Sequence, residues 1–119
     1  MNFNLKGLLC CLLLTLVTLI GLGQDRQIDS IKSVISKAKE DSNKVNSLLL
    51  LSKKYFNEEP NEAINVASRA RVLAEKIGFK RGEAYALKNI GIGYYMQGKY
   101  LETFDYWNQS MVYFDSVGD

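Results

Sequence analysis

The stretch that decides the fold is Arg81 to Asp119, RGEAYALKNIGIGYYMQGKYLETFDYWNQSMVYFDSVGD. It divides at Gln97-Gly98-Lys99, a short polar break with a helix-weakening glycine. Before the break, Leu87, Ile90, Gly91, Tyr94 and Tyr95 recur at helical spacing; after it, Tyr100, Phe104, Trp107, Met111 and Phe114 do the same. Spacings of three and four gather each set on one helix face. Two amphipathic helices joined by a tight turn predict an antiparallel hairpin. Gly91 lies inside the first of them, where glycine costs about 1 kcal/mol relative to alanine. On the apolar face it lets the partner helix approach closely, which offsets that cost.

These residues resemble the tetratricopeptide repeat. The family places a bulky residue, then a Leu-Gly-like pair three positions on, then a Tyr. Here they are Leu87, Ile90-Gly91 and Tyr94. Its second helix carries a small residue, a large aromatic and another small residue, matched by Thr103, Trp107 and Ser110. Departures are Leu87 for the usual tryptophan, Thr103 and Ser110 for the usual alanines, and Asp115 for the closing proline. The resemblance implies an all-α fold of antiparallel hairpins stacked as a short right-handed solenoid, with Trp107 largely buried between the hairpins.

The rest of the chain extends the pattern. Ile28, Ile31, Val34, Ile35 and Ala38 mark an amphipathic helix that starts near Asp29 or Ser30, after a flexible leader over Gln24 to Asp29. Ser42 is a candidate N-cap for a helix over Asn43 to Asn57. Pro60 suits the first turn of a third helix, and Gly78 its C-terminal cap. At an offset of 40, Ile77-Gly78 falls on Val117-Gly118 and Tyr55 on Tyr95. Ala63, Ile64, Ala67 and Ala70 likewise fall on Thr103, Phe104, Trp107 and Ser110. Residues 43–80 are thus expected to form a first hairpin and 81–119 a second. The period exceeds the family's basic length of about 34, which implies longer helices. Tyr106, Tyr113 and Phe114 are expected to lack cover, as in a fragment of a longer array, since a terminal repeat carries a polar outer face; pairing with another protein or with itself is the alternative.

Residues 1–23 stand apart from this fold. Lys6 supplies a positive charge, Leu8 to Ile20 is apolar apart from two threonines, and Gly21-Leu22-Gly23 offers small residues before Gln24-Asp25. That is the three-part pattern of a secretory signal. The uncharged run from Gly7 to Gly23 is 17 residues, short of the roughly 20 that span a bilayer. A cleaved signal is expected, with a retained signal anchor as the alternative. Cys10 and Cys11, the only cysteines, lie in the apolar run, so a mature chain holds no disulfide.

Composition excludes several functions. The chain has 119 residues, 15 basic against 13 acidic, and no histidine. Near neutrality leaves no electrostatic footprint for nucleic acid. Without histidine there is no imidazole base or ligand, and without a mature thiol no cysteine nucleophile. Gly91-Ile92-Gly93 is too short and too helical for a phosphate loop. Glu58, Glu59 and Glu62 read as acids favourable at a helix N-terminus. Accordingly no catalytic residue, cofactor or metal is expected.

Binding remains. In the resembling family the first helix of each hairpin lines a concave groove for a peptide or a partner helix. Carried over, the groove positions are Tyr85, Lys88, Asn89, Ile92, Tyr95 and Met96, with Val45, Leu48, Ser52, Tyr55 and Phe56 in the earlier hairpin. Lys88 and Asn89 sit where some members clamp a peptide carboxylate. Val45, Leu48, Leu49 and Ser52 do not complete such a clamp, so a mixed aromatic and polar groove is implied. The signal, then Gln27-Ile28-Asp29-Ser30-Ile31, then Ala38 to Val45, then repeats, is similar to the start of bacterial envelope sensors. That implies an exported, periplasmic interaction segment of a larger signalling protein. A free-standing exported scaffold and a small membrane-anchored repeat protein remain as alternatives.

Overall fold

The computed structural model describes residues 4–118; Met1 to Phe3 of the signal segment and Asp119 lie outside them. Among the described residues there are five helices and no strand: α1 (Leu5–Lys37), α2 (Ser42–Tyr55), α3 (Pro60–Ile77), α4 (Lys80–Met96) and α5 (Tyr100–Ser116). Consecutive helices pack on one another, and α2 also touches α4. Helices α2 to α5 thus form an all-helical stack of hairpins.

Turn chemistry sets the boundaries. Asp41, rather than Ser42, caps α2: its side chain accepts from Lys44 N–H at 3.1 Å. Pro60 opens α3, where its missing N–H leaves nothing unpaired. Gly78 closes α3 at φ 73°, a left-handed geometry in which a side chain would be strained. Phe79 N–H then donates to Ala74 O at 2.8 Å, and Lys99 N–H to Tyr94 O at 2.9 Å. Both helices therefore end with the same six-residue closure. Gly98 and Gly118 share Gly78's φ, at 74° and 76°.

Gln24 to Asp29 is not a flexible leader. Helix α1 runs unbroken through it, because no proline interrupts the chain and Ile28, Ile31 and Ile35 continue a stripe that packs on the core. Gln24 Nε2 donates to Lys54 O at 3.3 Å and Lys54 Nζ to Gln27 Oε1 at 3.0 Å. The leading part of α1 is exposed throughout. Helix α1 is long and apolar enough to cross a membrane, with mean hydropathy 2.3 over its most apolar stretch. That fits a signal or a span equally.

The core lies mainly among α2, α3 and α4. Val45, Leu48, Leu51 and Tyr55 of α2 meet Ala63, Val66, Ala70 and Ala74 of α3. Alanines let α2 and α4 approach α3 from both sides. Gly93 of α4 serves the same end: a Cβ there would stand 2.5 Å from Ile64 Cγ1 and 3.2 Å from Pro60 O. Three buried polar groups satisfy carbonyls inside the stack. Ser52 donates to Ala63 O at 2.9 Å, Asn89 to Leu49 O at 3.3 Å and Ser110 to Ala84 O at 2.8 Å.

Helix α5 departs from the expected packing. Only Thr103 and Ser110 are buried on it. Tyr100, Phe104 and Met111, which the spacing gathers on one apolar face with Trp107, are 62–65 % exposed. Phe114 alone of that stripe is half-buried. Trp107 is 40 % exposed rather than buried. One ring face lies over Gly91, whose absent Cβ would stand 2.4 Å from Trp107 Cδ1. The indole N–H donates to Lys88 O at 3.3 Å. Close approach at Gly91 thus occurs as expected, but no described helix covers the outer ring face. Trp107→Ala should therefore cost about 1–2 kcal/mol in urea unfolding, below the ~3–5 kcal/mol of a fully buried aromatic. A loss at the top of that range would mean that something covers Trp107 in solution.

Tyr106, Tyr113 and Phe114, expected to lack cover, are half-buried. Tyr106 stacks on Tyr94 with ring centroids 5.5 Å apart, and Phe114 meets Tyr85 edge-on at 5.0 Å. Lys80 Nζ lies 5.5 Å from the Tyr113 ring centroid. The open apolar side of α5 is one step around the helix from these three.

Candidate functional site

The groove residues expected from the sequence separate by helix face. On α4, residues 85, 88, 92, 95 and 96 occupy adjoining positions on its solvent side. Lys88, Tyr95 and Met96 are exposed, and Tyr85 and Ile92 are half-buried. Tyr85 is the hub. Lys88 Nζ and the Arg81 guanidinium each lie 5.9 Å from its ring centroid, within cation–π range. Lys88 thereby keeps a charge at the surface beside an aromatic plane.

Asn89, Ser52 and Tyr55 do not join that surface. Asn89 and Ser52 are 1 % and 0 % exposed and spend their polar atoms on the buried carbonyls of Leu49 and Ala63. Tyr55 is also buried, with Lys32 Nζ 5.9 Å from its ring centroid. The same contact holds the Lys32 ammonium above the usual lysine range, chiefly through hydrogen bonding to Tyr55. Val45 and Leu48 are core as well, and Phe56 is half-buried. In α2 the positions carried over from the family mostly pack the stack. The accessible part of α2 is Asn46, Leu50 and Lys53 instead, which with Leu49, Tyr85 and Asn89 line a depression of about 210 Å³ between α2 and α4. Leu50, a 47 % exposed leucine at its edge, was not singled out by the sequence pattern. Its only signal was its place in a run of four leucines, Leu48 to Leu51, more than one helix face can bury.

A second concave region lies between α4 and α5. Lys88, Trp107, Ser110, Met111 and Phe114 line a hollow of about 390 Å³. Arg81, Tyr85, Met111, Phe114 and Asp115 line an adjoining one of about 400 Å³. Tyr95 links this region to the first, stacking on Trp107 at 6.2 Å and tilting against Tyr100 at 5.6 Å. The first hollow offers Tyr85 beside Leu50, Asn46 and Lys53, whereas the second adds Trp107, Phe114 and the flexible Met111 beside Lys88 and Arg81.

Glu58, Glu59 and Glu62 are spread over the α2–α3 turn and the start of α3. Among the described residues no group of three or more acidic, histidine or cysteine side chains is placed to hold a metal ion. Among the described residues the one buried carboxylate is one the sequence did not flag. Glu83 sits in the first turn of α4 with Oε2 3.5 Å from Lys80 Nζ, an ion pair too long for a hydrogen bond. Its place near a helix N-terminus suits a negative charge.

Comparison with protein-family models, with curated proteins and with solved structures gives no match.

Proposed function

We propose that the chain is a tetratricopeptide-type interaction module that binds a protein or peptide segment on the outer face of α4. The observation that supports this best is the surface of Tyr85, Lys88, Ile92, Tyr95 and Met96, which gathers aromatic rings, a methionine and one basic head on a single accessible helix face. Tyrosine offers a ring and a hydroxyl, and methionine reshapes to fit. Lys88 favours acidic or carboxylate-bearing partners. Such a surface suits an extended peptide or a helix better than a small metabolite, since it lies open along the outside of α4. The sequence's lack of histidine, and of cysteine outside the signal-like segment, is in keeping with binding rather than catalysis. With the signal-like start, this reading makes the chain an exported interaction segment, the sensor or scaffold part of an envelope signalling protein.

The test is a pull-down from envelope extract with the parent and with Tyr95→Ala/Lys88→Ala. Recovery of the partner should fall several-fold in the double variant and stay unchanged on replacing the exposed Glu75 or Asp105. Equal recovery by both proteins would remove the α4 face as the binding surface. N-terminal sequencing of the exported protein separates the two readings of α1. A start at Gln24 supports a cleaved signal; an intact Met1 on membrane-bound protein supports the anchor.

A further inference from the structure

We propose that the end of the stack bearing the α2–α3 and α4–α5 turns rests on the lipid bilayer that α1 enters, with Tyr100, Leu101 and Phe104 of α5 set into its surface. This rests on the anchored reading of α1, and it uses none of the residues assigned to the peptide.

The first argument is how α1 joins the stack. The uncharged run from Gly7 to Gly23 is 17 residues, about 26 Å of helix and within the ~17–25 residues of a span. Lys6 flanks it on one side and Asp25-Arg26 on the other, charges that stay in water. The most apolar stretch of α1 is not covered by the rest of the chain. The helix does not break where the run ends. It continues to Lys37, and Gln24 and Gln27 are hydrogen-bonded to Lys54 at the end of α2. The stack is therefore carried on the same rod as the apolar run. A peptidase takes its substrate extended, so cutting after Gly23 would first unwind a turn that these bonds hold.

The second argument is which end of the stack meets the lipid. Gln24, the first residue after the run, donates to Lys54 O at 3.3 Å, so the last turn of α2 stands at the edge of the apolar run. Gln97 Nε2 donates to Asn61 Oδ1, which sets the α4–α5 turn beside the start of α3. Both turns thus lie at the end from which the apolar part of α1 emerges. The Lys76–Glu40 ion pair joins the opposite end. Helix α5 begins at the lipid end with three exposed apolar groups. Tyr100 and Phe104 are each 65 % exposed, and Leu101 is 82 % exposed, the highest of any large apolar side chain among the described residues. Side chains lean towards the N-terminus of their helix, so these three lean towards the lipid. They span about 6 Å of α5, comparable to the ~5–10 Å depth of the headgroup and acyl boundary, where tyrosine is enriched. Charges at this end offset one another, Lys53, Lys54 and Lys99 against Glu58, Glu59 and Glu102. The contact is therefore apolar, and neutral lipid suffices. Helices α1 and α5 lie at opposite edges of the stack, so the protein stands on the bilayer at two points. The second contact recruits nothing from solution, because α1 already holds it at the surface.

The experiment moves the chain's single tryptophan. The full chain is reconstituted into phosphatidylcholine vesicles with and without bromine on the acyl carbons near the headgroup, which quenches nearby indole emission. Leu101→Trp in a Trp107→Phe background should lose at least half its emission to the brominated lipid. Leu19→Trp in the same background, near the end of the apolar run, should be quenched as strongly. Val72→Trp, at a 67 % exposed position of α3 about 18 Å from its start, should keep its emission. Each variant should retain the parent's helical circular dichroism; should Leu101→Trp lose it, Tyr100→Trp decides. Unquenched probes at 100 and 101 beside a quenched one at 19 would overturn the proposal, leaving the turn end in water. An unquenched probe at 19 would overturn the anchored reading of α1 and the proposal with it. Equal quenching at 72 and 101 would overturn the end-on arrangement, because the body would then lie flat on the lipid. Tyr95 and Lys88 are unchanged in every variant, so failure here is distinct from failure of the peptide pull-down.

Discussion

Leu51→Ala should lower stability by about 3–4 kcal/mol, while Leu50→Ala, one residue earlier, should cost under about 1 kcal/mol. Leu51 is 2 % exposed and lies in the core formed by α2 and α3, whereas half of Leu50 faces solvent. Deleting the Leu51 side chain removes its transfer energy and leaves a cavity that the alanines of α3 are too short to fill. A small domain has only about 5–15 kcal/mol in total, so the Leu51 variant should show a much lower urea midpoint. The paired measurement checks the rotation of α2 directly. Equal losses from both substitutions would mean that α2 is turned differently about its axis.

The second large effect is at Gly93. Gly93→Leu should destabilise by about 2–3 kcal/mol net, even though leucine is the better helix former by nearly 1 kcal/mol. The first carbon of the new side chain would already stand 2.5 Å from Ile64 Cγ1, with Pro60 O at 3.2 Å behind it. Ile64 can give way, but the carbonyl belongs to the backbone at the start of α3. Adding Ile64→Ala should restore part of the loss, so the double variant should melt above Gly93→Leu alone. A double variant no more stable than the single one would show that the clash is with the backbone of α3 rather than with Ile64.

The sequence located helices well and their surroundings less well, for a physical reason. Pro60, Gly78 and the Gln97-Gly98-Lys99 break act on the few residues beside them, so they could be read locally and match the observed ends of α3 and α4. The position of Gly91 on the apolar face of its helix gave the close approach there, because a missing Cβ on a packed face is visible in a pattern. Whether Trp107 is buried depends on what lies on its other side, and periodicity only says which residues share a face. That is why the pattern groups Tyr100, Phe104, Trp107 and Met111 on one face but misplaces Trp107 as buried between the hairpins. The hairpin instead closes through the small, polar Thr103 and Ser110, which fit a close crossing and spend their hydroxyls on Lys99 O and Ala84 O. The same limit affected the groove. Ser52 and Asn89 entered the groove only as positions carried over from the resembling family, yet each satisfies a carbonyl that the stack removes from water. Gln24 to Asp29 read as a leader because it is polar; its helix is fixed by contacts to Lys54, distant in sequence.

The left-handed glycines at 78, 98 and 118 mark the chain at even steps of 20 residues. An even ruler makes its segments interchangeable at the joints. Excising residues 78–117 would set Gly118 directly after Ile77, so α3 would end on the same kind of glycine that closes it now. Inserting a 40-residue block at the same point would likewise meet a matching joint on either side. Length can then change by whole hairpins without a new junction having to be invented. The number of hairpins becomes something a lineage can lengthen or shorten by recombination alone, while each helix keeps the stop signal that defines it.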